Sequence, residues 1–202
     1  MKAVCWQGKH DVRVETVPEP RLLSPTDAIL QVTAAAIGGT DLHLYDALLP
    51  GVLPGDILGH EFMGVVVEVG SRVSRLRAGD RVVVPAAIGC GVCWFCRQEQ
   101  WGLCDNTHPS PREAETVHGF AGAGRFGMGR RFGGFAGGQA EFVRIPFADR
   151  MAVEMPAGIA DEALLLLAAS FPAGWMAAES CAIRPGEVMA VFGCGAVGLL
   201  AI

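Results

Sequence analysis

The 202-residue sequence has few charged side chains and no excess of basic ones. Charged residues make up 18% of the chain, and 16 Lys and Arg against 21 Asp and Glu give a formal net charge of −5. Because binding to a nucleic-acid backbone requires clustered positive charge, this balance argues against nucleic acid as a partner. The hydrophobic content of 51% predicts a packed core rather than a disordered chain.

The sequence also lacks a long apolar segment. The uncharged stretch 163–178 is interrupted by Pro172, and both it and the uncharged stretch 188–202 are shorter than the roughly 20 residues that cross a bilayer. The first residues contain no apolar run typical of a signal peptide. We therefore expect a soluble, cytoplasmic protein with no membrane partner.

Short β-prone runs separated by turn residues fill most of the first two-thirds of the chain. Strands at this spacing predict a sandwich or a barrel. The runs are Lys2–Trp6, Val12–Val17, Ala28–Ile37, Gly64–Val69, Arg81–Val84 and Glu141–Ile145.

The last quarter of the chain has a helical pattern. We expect Asp161 to cap a helix over Ala163–Ala169, and Pro172 to break that helix before a second one over Trp175–Ala182. The apolar run Glu187–Phe192 predicts a buried strand, followed by a glycine-rich turn and the start of another helix.

Residues 119–138 are rich in glycine and phenylalanine. The simpler interpretation is a long surface loop. An Arg/Gly/Phe segment that binds RNA is the alternative, because Arg125, Arg130 and Arg131 lie in it. A short stretch in an acidic chain provides a poor electrostatic basis for that alternative.

Four of the seven cysteines fall in one short segment with the spacing C-x2-C-x2-C-x7-C. Four thiolates form a closed tetrahedral shell that suits a structural zinc ion, so we expect a zinc lobe at about residues 89–105. An iron–sulfur cluster or free thiols are the alternatives. A nucleic-acid zinc ribbon would split the cysteines into two separated pairs with basic flanks. The four residues are Cys90, Cys93, Cys96 and Cys104.

Two short motifs carry candidate catalytic side chains. His60 and Glu61 precede a Val-rich strand, so the imidazole could bind a metal beside a carboxylate, or could be a hydrogen-bonded histidine at a strand end. Thr40 could cap a helix, or its hydroxyl could begin a proton relay with His43 three residues later.

A third motif, G-x-G-x-x-G, is formed by Gly193, Gly195 and Gly198 after the apolar run. Glycines at this spacing allow a tight turn, a close approach of a pyrophosphate and close packing of helix on strand. The motif therefore predicts a dinucleotide-binding turn.

Six motifs in this order resemble the zinc-containing medium-chain alcohol dehydrogenases. They are Gly-Thr-Asp-Leu-His, Gly-His-Glu, Gly-Asp-Arg-Val, the four-cysteine loop, Gly-Gly-Gln-Ala-Glu-Phe and G-x-G-x-x-G. The run GGQAEFVRIPFAD at 137–149 is similar to the glutathione-independent formaldehyde dehydrogenase branch. The resemblance covers essentially the whole chain, which corresponds to about the first half of the family's length.

The resemblance implies a mainly β GroES-like barrel over residues 1–155. Connecting helices and the first β-α element of an incomplete α/β Rossmann domain would follow over 156–202. It implies hydride transfer between an alcohol or aldehyde hydrate and NAD or NADP, with zinc lowering the pKa of the substrate oxygen. It also implies a homo-oligomer at full length and an inactive 202-residue chain on its own.

The resemblance further assigns residue roles. Thr40 and His43 match the proton relay, His60 a catalytic-zinc ligand, and Glu61 the carboxylate beside it. The remaining matches are Cys90, Cys93, Cys96 and Cys104 for the structural zinc, and Gly193, Gly195 and Gly198 for the pyrophosphate turn.

Two positions depart from the family pattern. Gly38 stands where the family has a cysteine ligand, and Ala169 where the branch has an acidic one. A catalytic zinc takes three protein ligands, so His60 with Glu61 should hold zinc far more weakly. Two other hypotheses are therefore open. One is a non-catalytic, zinc-stabilised GroES-like module, or a decayed or truncated homologue that keeps the fold without the chemistry. The other is a zinc-independent reductase, in which the four-cysteine loop is unexpected.

Overall fold

The computed structural model describes residues 1–108, 115–116, 119 and 121–202. Short strands dominate the first part of the chain and helices the last. The strands are β1 (Lys2–Gly8), β2 (Asp11–Thr16), β3 (Ala28–Ala35), β4 (Phe62–Val69), β5 (Arg81–Val84), β6 (Ala87–Ile88), β7 (Gly124–Arg125), β8 (Phe142–Ile145) and β9 (Val153–Glu154). The helices are α1 (Gly39–Tyr45), α2 (Trp94–Arg97), α3 (Ala148–Met151), α4 (Asp161–Leu165), α5 (Ser170–Cys181) and α6 (Ala196–Leu200).

A five-stranded antiparallel sheet with the order β8-β3-β4-β5-β9 is the centre of the fold. Alternation along β5 divides its side chains between two faces. Val82 and Val84 join the main apolar core, whereas Val83 packs against Leu164 and Leu165 of α4. The sheet is therefore covered on one face by the barrel core and on the other by the first helix of the C-terminal part.

β1 and β2 form a separate hairpin, and isolated bridges connect it to the segments that precede two strands of the sheet: Ala3 to Ala140 before β8, and Cys5 to Ile57 before β4. Each run of residues that the sequence predicts as a strand in the first two-thirds of the chain forms one, with ends that match the prediction or differ from it by one or two residues. The prediction of a sheet-rich barrel architecture is confirmed.

The glycine-rich segment is not a surface loop, and that prediction is wrong. Phe126 is fully buried and packs edge-on against Phe62, with the ring centroids 5.1 Å apart. Gly127 has φ +65° and lies so close to the backbone of Gly59 that a Cβ would come within 2.6 Å of it. The glycines therefore allow two backbone segments to pack together, and the buried Phe126 ring is not available to stack on an RNA base.

The helix boundaries near residue 170 also differ from the prediction. Asp161 is the first residue of α4 rather than its cap, because Ala160 holds the cap position. The helical conformation is interrupted at Ala169, and α5 then runs through Pro172. Pro172 is the third residue of α5, where a backbone N–H has no intrahelical partner, so proline costs no hydrogen bond there.

The predicted strand over Glu187–Phe192 is absent from the structure, although α6 forms after it. Val188 and Phe192 are 95% and 97% exposed. In the described part of the chain, none of the sheets includes this run, so its backbone groups take part in no strand ladder.

Across the described ranges, none of the helices by itself has both the length and the apolar composition to cross a membrane. Residues 161–168 and α5 meet the criterion only when taken together, and they are bent by 55° relative to each other.

Candidate functional site

The four cysteines come together as a compact group of thiols. Their Sγ atoms all lie within 4.8 Å of one another, and the Cys90–Cys96 and Cys93–Cys104 sulfur pairs are 3.9 Å apart. A tetrahedron with zinc–sulfur bonds of about 2.3 Å has sulfur–sulfur edges of about 3.8 Å. The four free thiols are far outside disulfide bonding distance, and they fit a tetrahedral metal ion.

Local structure holds these sulfurs in place. Cys90 follows β6, and Cys93 caps α2 by accepting the N–H of Cys96 at 3.4 Å. Cys104 follows a short 3-10 turn, and its sulfur accepts the N–H of Cys90 at 3.3 Å. The sequence reasoning missed Asn106, whose Nδ2 donates to the Cys90 sulfur at 3.3 Å. These N–H donors favour the thiolate form that a metal requires.

Burial and N–H donors have opposite effects on the pKa values of these thiols. For Cys93, burial raises the pKa, but N–H donors that include Cys96 and Asp105 lower it to about 7. For Cys96, burial and neighbouring thiols raise the pKa to about 12, and burial also raises the pKa of Cys104. Thiols packed this closely cannot all ionise together unless a cation compensates their charge.

A second cluster surrounds His60, which is buried between two carboxylates. Its Nδ1 lies 3.8 Å from Asp41 Oδ2 and its Nε2 lies 3.7 Å from Glu61 Oε1. All three side chains are less than one-tenth exposed. Among the residues described, His60 Nδ1 and Asp41 Oδ1 have no hydrogen-bond partner. Since buried polar atoms are nearly always paired, this cluster is a candidate functional site.

Helix α5 contributes a fourth side chain that the sequence reasoning did not find. Ser170 is buried, and its Oγ donates to Glu61 Oε1 at 3.1 Å. The residues are 109 positions apart in sequence, so no local spacing could have linked them. The one signal was that Ser170 follows Ala169, a position where the family places a metal ligand.

Gly38 and Ala169, the two positions that depart from the family's catalytic-zinc ligands, both lie near this cluster. A Cβ built on Gly38 would lie 3.4 Å from His60 Cε1 and 3.4 Å from Glu61 Oε1, but glycine offers no ligand. Ala169 is the residue before Ser170 and has no donor atom either. In the ranges the structure describes, the four cysteines are the one group of three or more His, Cys, Asp or Glu residues whose ligand atoms converge. The residues around His60 therefore do not fit a three-ligand zinc site.

Helix α1 carries the predicted relay residues. Gly38 is its N-cap residue, and Asp41, the third residue of the helix, accepts the Gly38 N–H on its Oδ2 at 2.8 Å. Thr40 is thus inside the helix rather than at its cap. Thr40 is half-buried and His43 is exposed, and their separation of three residues places them on one face of the helix.

The glycines of the predicted dinucleotide turn are each in a different environment. Gly193 has φ +99°, which strongly favours glycine, and a Cβ on Gly198 would lie 2.0 Å from the Gly193 carbonyl oxygen. No atom lies within 4 Å of a Cβ built on Gly195. The first and third glycines are therefore required by the turn itself, and the second leaves open space beside it.

Comparisons with known proteins give the family. The alcohol dehydrogenase GroES-like domain matches residues 24–157. The uncharacterized zinc-type alcohol dehydrogenase-like protein AdhB of Bacillus subtilis is 39% identical over 203 residues, which cover 100% of this chain and 51% of that protein. A glutathione-independent formaldehyde dehydrogenase of Pseudomonas aeruginosa is 31% identical, covering 99% and 50%.

Solved structures agree with this match. The alcohol dehydrogenase TADH from Thermus sp. ATN1 aligns with a TM-score of 0.88 and 37% identity, covering 100% of this chain and 53% of that one. The chain spans about half the length of the relatives it matches. With a family match over most of its length and a sheet-rich barrel of the same architecture, the chain belongs to the zinc-type alcohol dehydrogenase family and contains its GroES-like domain.

Proposed function

We propose that this chain is the substrate-binding part of an NAD(P)-linked oxidoreductase that transfers hydride between a small alcohol or aldehyde hydrate and a nicotinamide. Residues 1–155 form the GroES-like catalytic domain in this proposal, and residues 156–202 begin the dinucleotide-binding domain. The similarity to a formaldehyde dehydrogenase supports a small aldehyde as one candidate substrate.

The arrangement of α1 against His60 carries the proposal. Gly38 faces the imidazole, since a Cβ there would lie 3.4 Å from His60 Cε1. Helix α1 starts directly after Gly38, so Thr40 and His43 lie two and five residues along the chain from a position at the buried cluster. A hydroxyl and an imidazole on one helix face can pass a substrate proton from a half-buried position to solvent. Thr40 would hold the substrate oxygen, and the exposed His43 would exchange the proton with water.

Two bound groups complete the proposal. Zinc at Cys90, Cys93, Cys96 and Cys104 would stabilise the lobe that these residues form, as the geometry of the four sulfurs fits. The nicotinamide cofactor supplies the hydride acceptor or donor when it is bound, and its pyrophosphate would approach the backbone at Gly195, where space is open. The proposed reaction uses no catalytic zinc, because the residues around His60 do not fit one.

A second candidate function is a zinc-stabilised module without chemistry of its own. The absence of a side chain at Gly38 favours it, since that position faces His60 and Glu61 directly. A zinc-independent reductase is the further alternative, and it would keep the cofactor turn but give the four-cysteine lobe no role in the reaction.

Turnover by the full-length protein tests the proposal. The protein is assayed with NAD⁺ and NADP⁺ on small primary alcohols and formaldehyde, following the absorbance of the reduced nicotinamide. We expect turnover, and we expect Thr40→Val to lower kcat by about 100-fold because the relay hydroxyl is lost. Thr16→Val on β2 is the matched control, since Thr16 is exposed and outside the site.

Three results would separate the candidates. No turnover with either cofactor, with and without added zinc, would overturn the oxidoreductase proposal in favour of the module. Turnover that Thr40→Val leaves unchanged would remove the relay role. Reduction of conjugated alkenes by the reduced nicotinamide, without turnover of alcohols or aldehydes, would favour the zinc-independent reductase. We also propose a homo-oligomer at full length, which sedimentation of the same preparation measures.

A further inference from the structure

Position 38 has a backbone that any residue can adopt. Gly38 has φ −99° and ψ 174°, an extended conformation, and it precedes the first turn of α1. A Cβ there would lie 3.4 Å from Glu61 Oε1 and 3.6 Å from His60 Nε2, which is ordinary van der Waals contact. Neither backbone strain nor lack of space therefore requires glycine at this position.

A side chain at position 38 would face two buried ligand atoms. His60 Nε2 and Glu61 Oε1 are 3.7 Å apart. Two nitrogen or oxygen ligands on one tetrahedral zinc ion, each at about 2.1 Å, lie about 3.4 Å apart. The two atoms are therefore spaced to share a metal ion, and the direction from Gly38 supplies the place for a third ligand.

We infer that the pocket beside His60 is a metal site that lacks one decisive ligand: it does not retain zinc in this protein, and a thiolate at position 38 alone would restore zinc binding. His60 Nδ1 faces Asp41 at 3.8 Å, so Nε2 is the imidazole nitrogen that faces Glu61 and Gly38. His60 and Glu61 by themselves provide two ligands, and a catalytic zinc takes three.

This inference deepens the proposed function, because it decides whether that chemistry proceeds with or without a metal beside His60. It uses the four-cysteine lobe as an internal reference. The experiment therefore measures metal content, which does not depend on turnover. A result that overturns this inference is thus distinct from a result that overturns the proposed function.

The test compares zinc per chain in full-length protein and variants after saturation with zinc and exhaustive dialysis. We expect about one zinc in the unmodified protein, held by the four cysteines, and one more in Gly38→Cys. Gly39→Cys is the matched control, because a Cβ at the neighbouring position has no atom within 4 Å and the new thiol would not face His60. Gly38→Cys combined with His60→Ala should lose the added ion.

Cobalt substitution provides a second readout, because a cobalt–thiolate bond absorbs in the near ultraviolet. The added absorbance should appear in Gly38→Cys and be absent in Gly39→Cys. Two zinc ions in the unmodified protein would overturn the inference, whatever the variants do. Equal metal content in the unmodified protein and a folded Gly38→Cys would also overturn it. If the cysteine lobe binds no zinc, the counts become zero and one, and the difference between them still decides the question.

Discussion

The hydroxyl of Ser170, at the start of α5, donates a hydrogen bond of 3.1 Å to Glu61, directly before β4. Both side chains are buried, and the bond joins the sheet to the helices that follow it. Glu61 also lies beside His60 and faces Gly38, so Ser170 fixes one wall of the candidate site.

Ser170→Ala should therefore destabilise the protein by about 1–3 kcal/mol, because the buried carboxylate of Glu61 loses a donor. The free energy of unfolding from chemical denaturation measures this. Ser180→Ala is the matched control, since Ser180 is exposed and its hydroxyl bonds only within its own helix, to the Met176 carbonyl. Equal stabilities for the two variants would show that Ser170 does not support Glu61.

Asn106 should strengthen metal binding by the four-cysteine lobe without being a ligand. Its amide donates to the Cys90 sulfur, and such supporting hydrogen bonds typically change metal affinity by about 10–100-fold. We expect Asn106→Ala to lower zinc affinity by about that factor in a chelator competition titration. Gln100→Ala, at an exposed residue of the same lobe, should leave the affinity unchanged.

Asp161 connects α4 to the sheet in a way that depends on pH. Hydrogen bonds from Thr33 and Arg81 lower the pKa of its carboxyl below the ordinary value of 3.8. A lowered pKa in the folded state adds stability above the unfolded value, and that stability is lost as the pH falls through the folded value.

Asp161→Asn should therefore cost about 1 kcal/mol at neutral pH, a small value because the ion pair is partly exposed. The difference from the unmodified protein should stay constant down to about pH 4 and shrink below it. Denaturation across the pH range measures this, with the exposed Glu162→Gln as control. A difference that grows in acid would contradict the assignment.

Residues near the end of the chain present an apolar surface. Val188 and Phe192 are almost fully exposed, and Trp175 and Met176 of α5 are more than half exposed. Large apolar side chains exposed to this extent promote association. We expect residues 1–202, produced alone, to self-associate at concentrations where light scattering detects it.

Replacing Val188 and Phe192 together by serine should reduce that scattering. Leu23→Ser is the control, because Leu23 is also 65% exposed but lies in the segment between β2 and β3. A monodisperse monomer of residues 1–202 that unfolds cooperatively would show that this surface does not drive association.

Local patterns predicted most of the fold. Arg81–Val84 forms a strand with the predicted ends, because Val-rich alternation over a few residues is decided by nearest neighbours and burial. The run Glu187–Phe192 has similar composition but forms no strand, because a strand also needs a neighbour to accept its backbone hydrogen bonds.

The glycine-rich segment shows the same limit. Composition alone favoured a surface loop, but Gly127 packs on Gly59 and carries Phe126 into the core. Glycine permits close backbone contact as readily as it permits a loop, and only the position of the other segment decides between them.

The sequence by itself determined which metal-ligating side chains this protein has. Four cysteines lie in one short segment, and glycine occupies position 38, where a thiolate ligand would stand. Both follow from side-chain chemistry and short spacing, which need no distant contact. Only the tertiary structure decided that Asp41, His60, Glu61 and Ser170 share one buried cluster facing Gly38. The Asp41–His60 and Ser170–Glu61 contacts join segments far apart in sequence. Ser170 reaches Glu61 because α4 packs on the sheet and the chain continues from it into the start of α5.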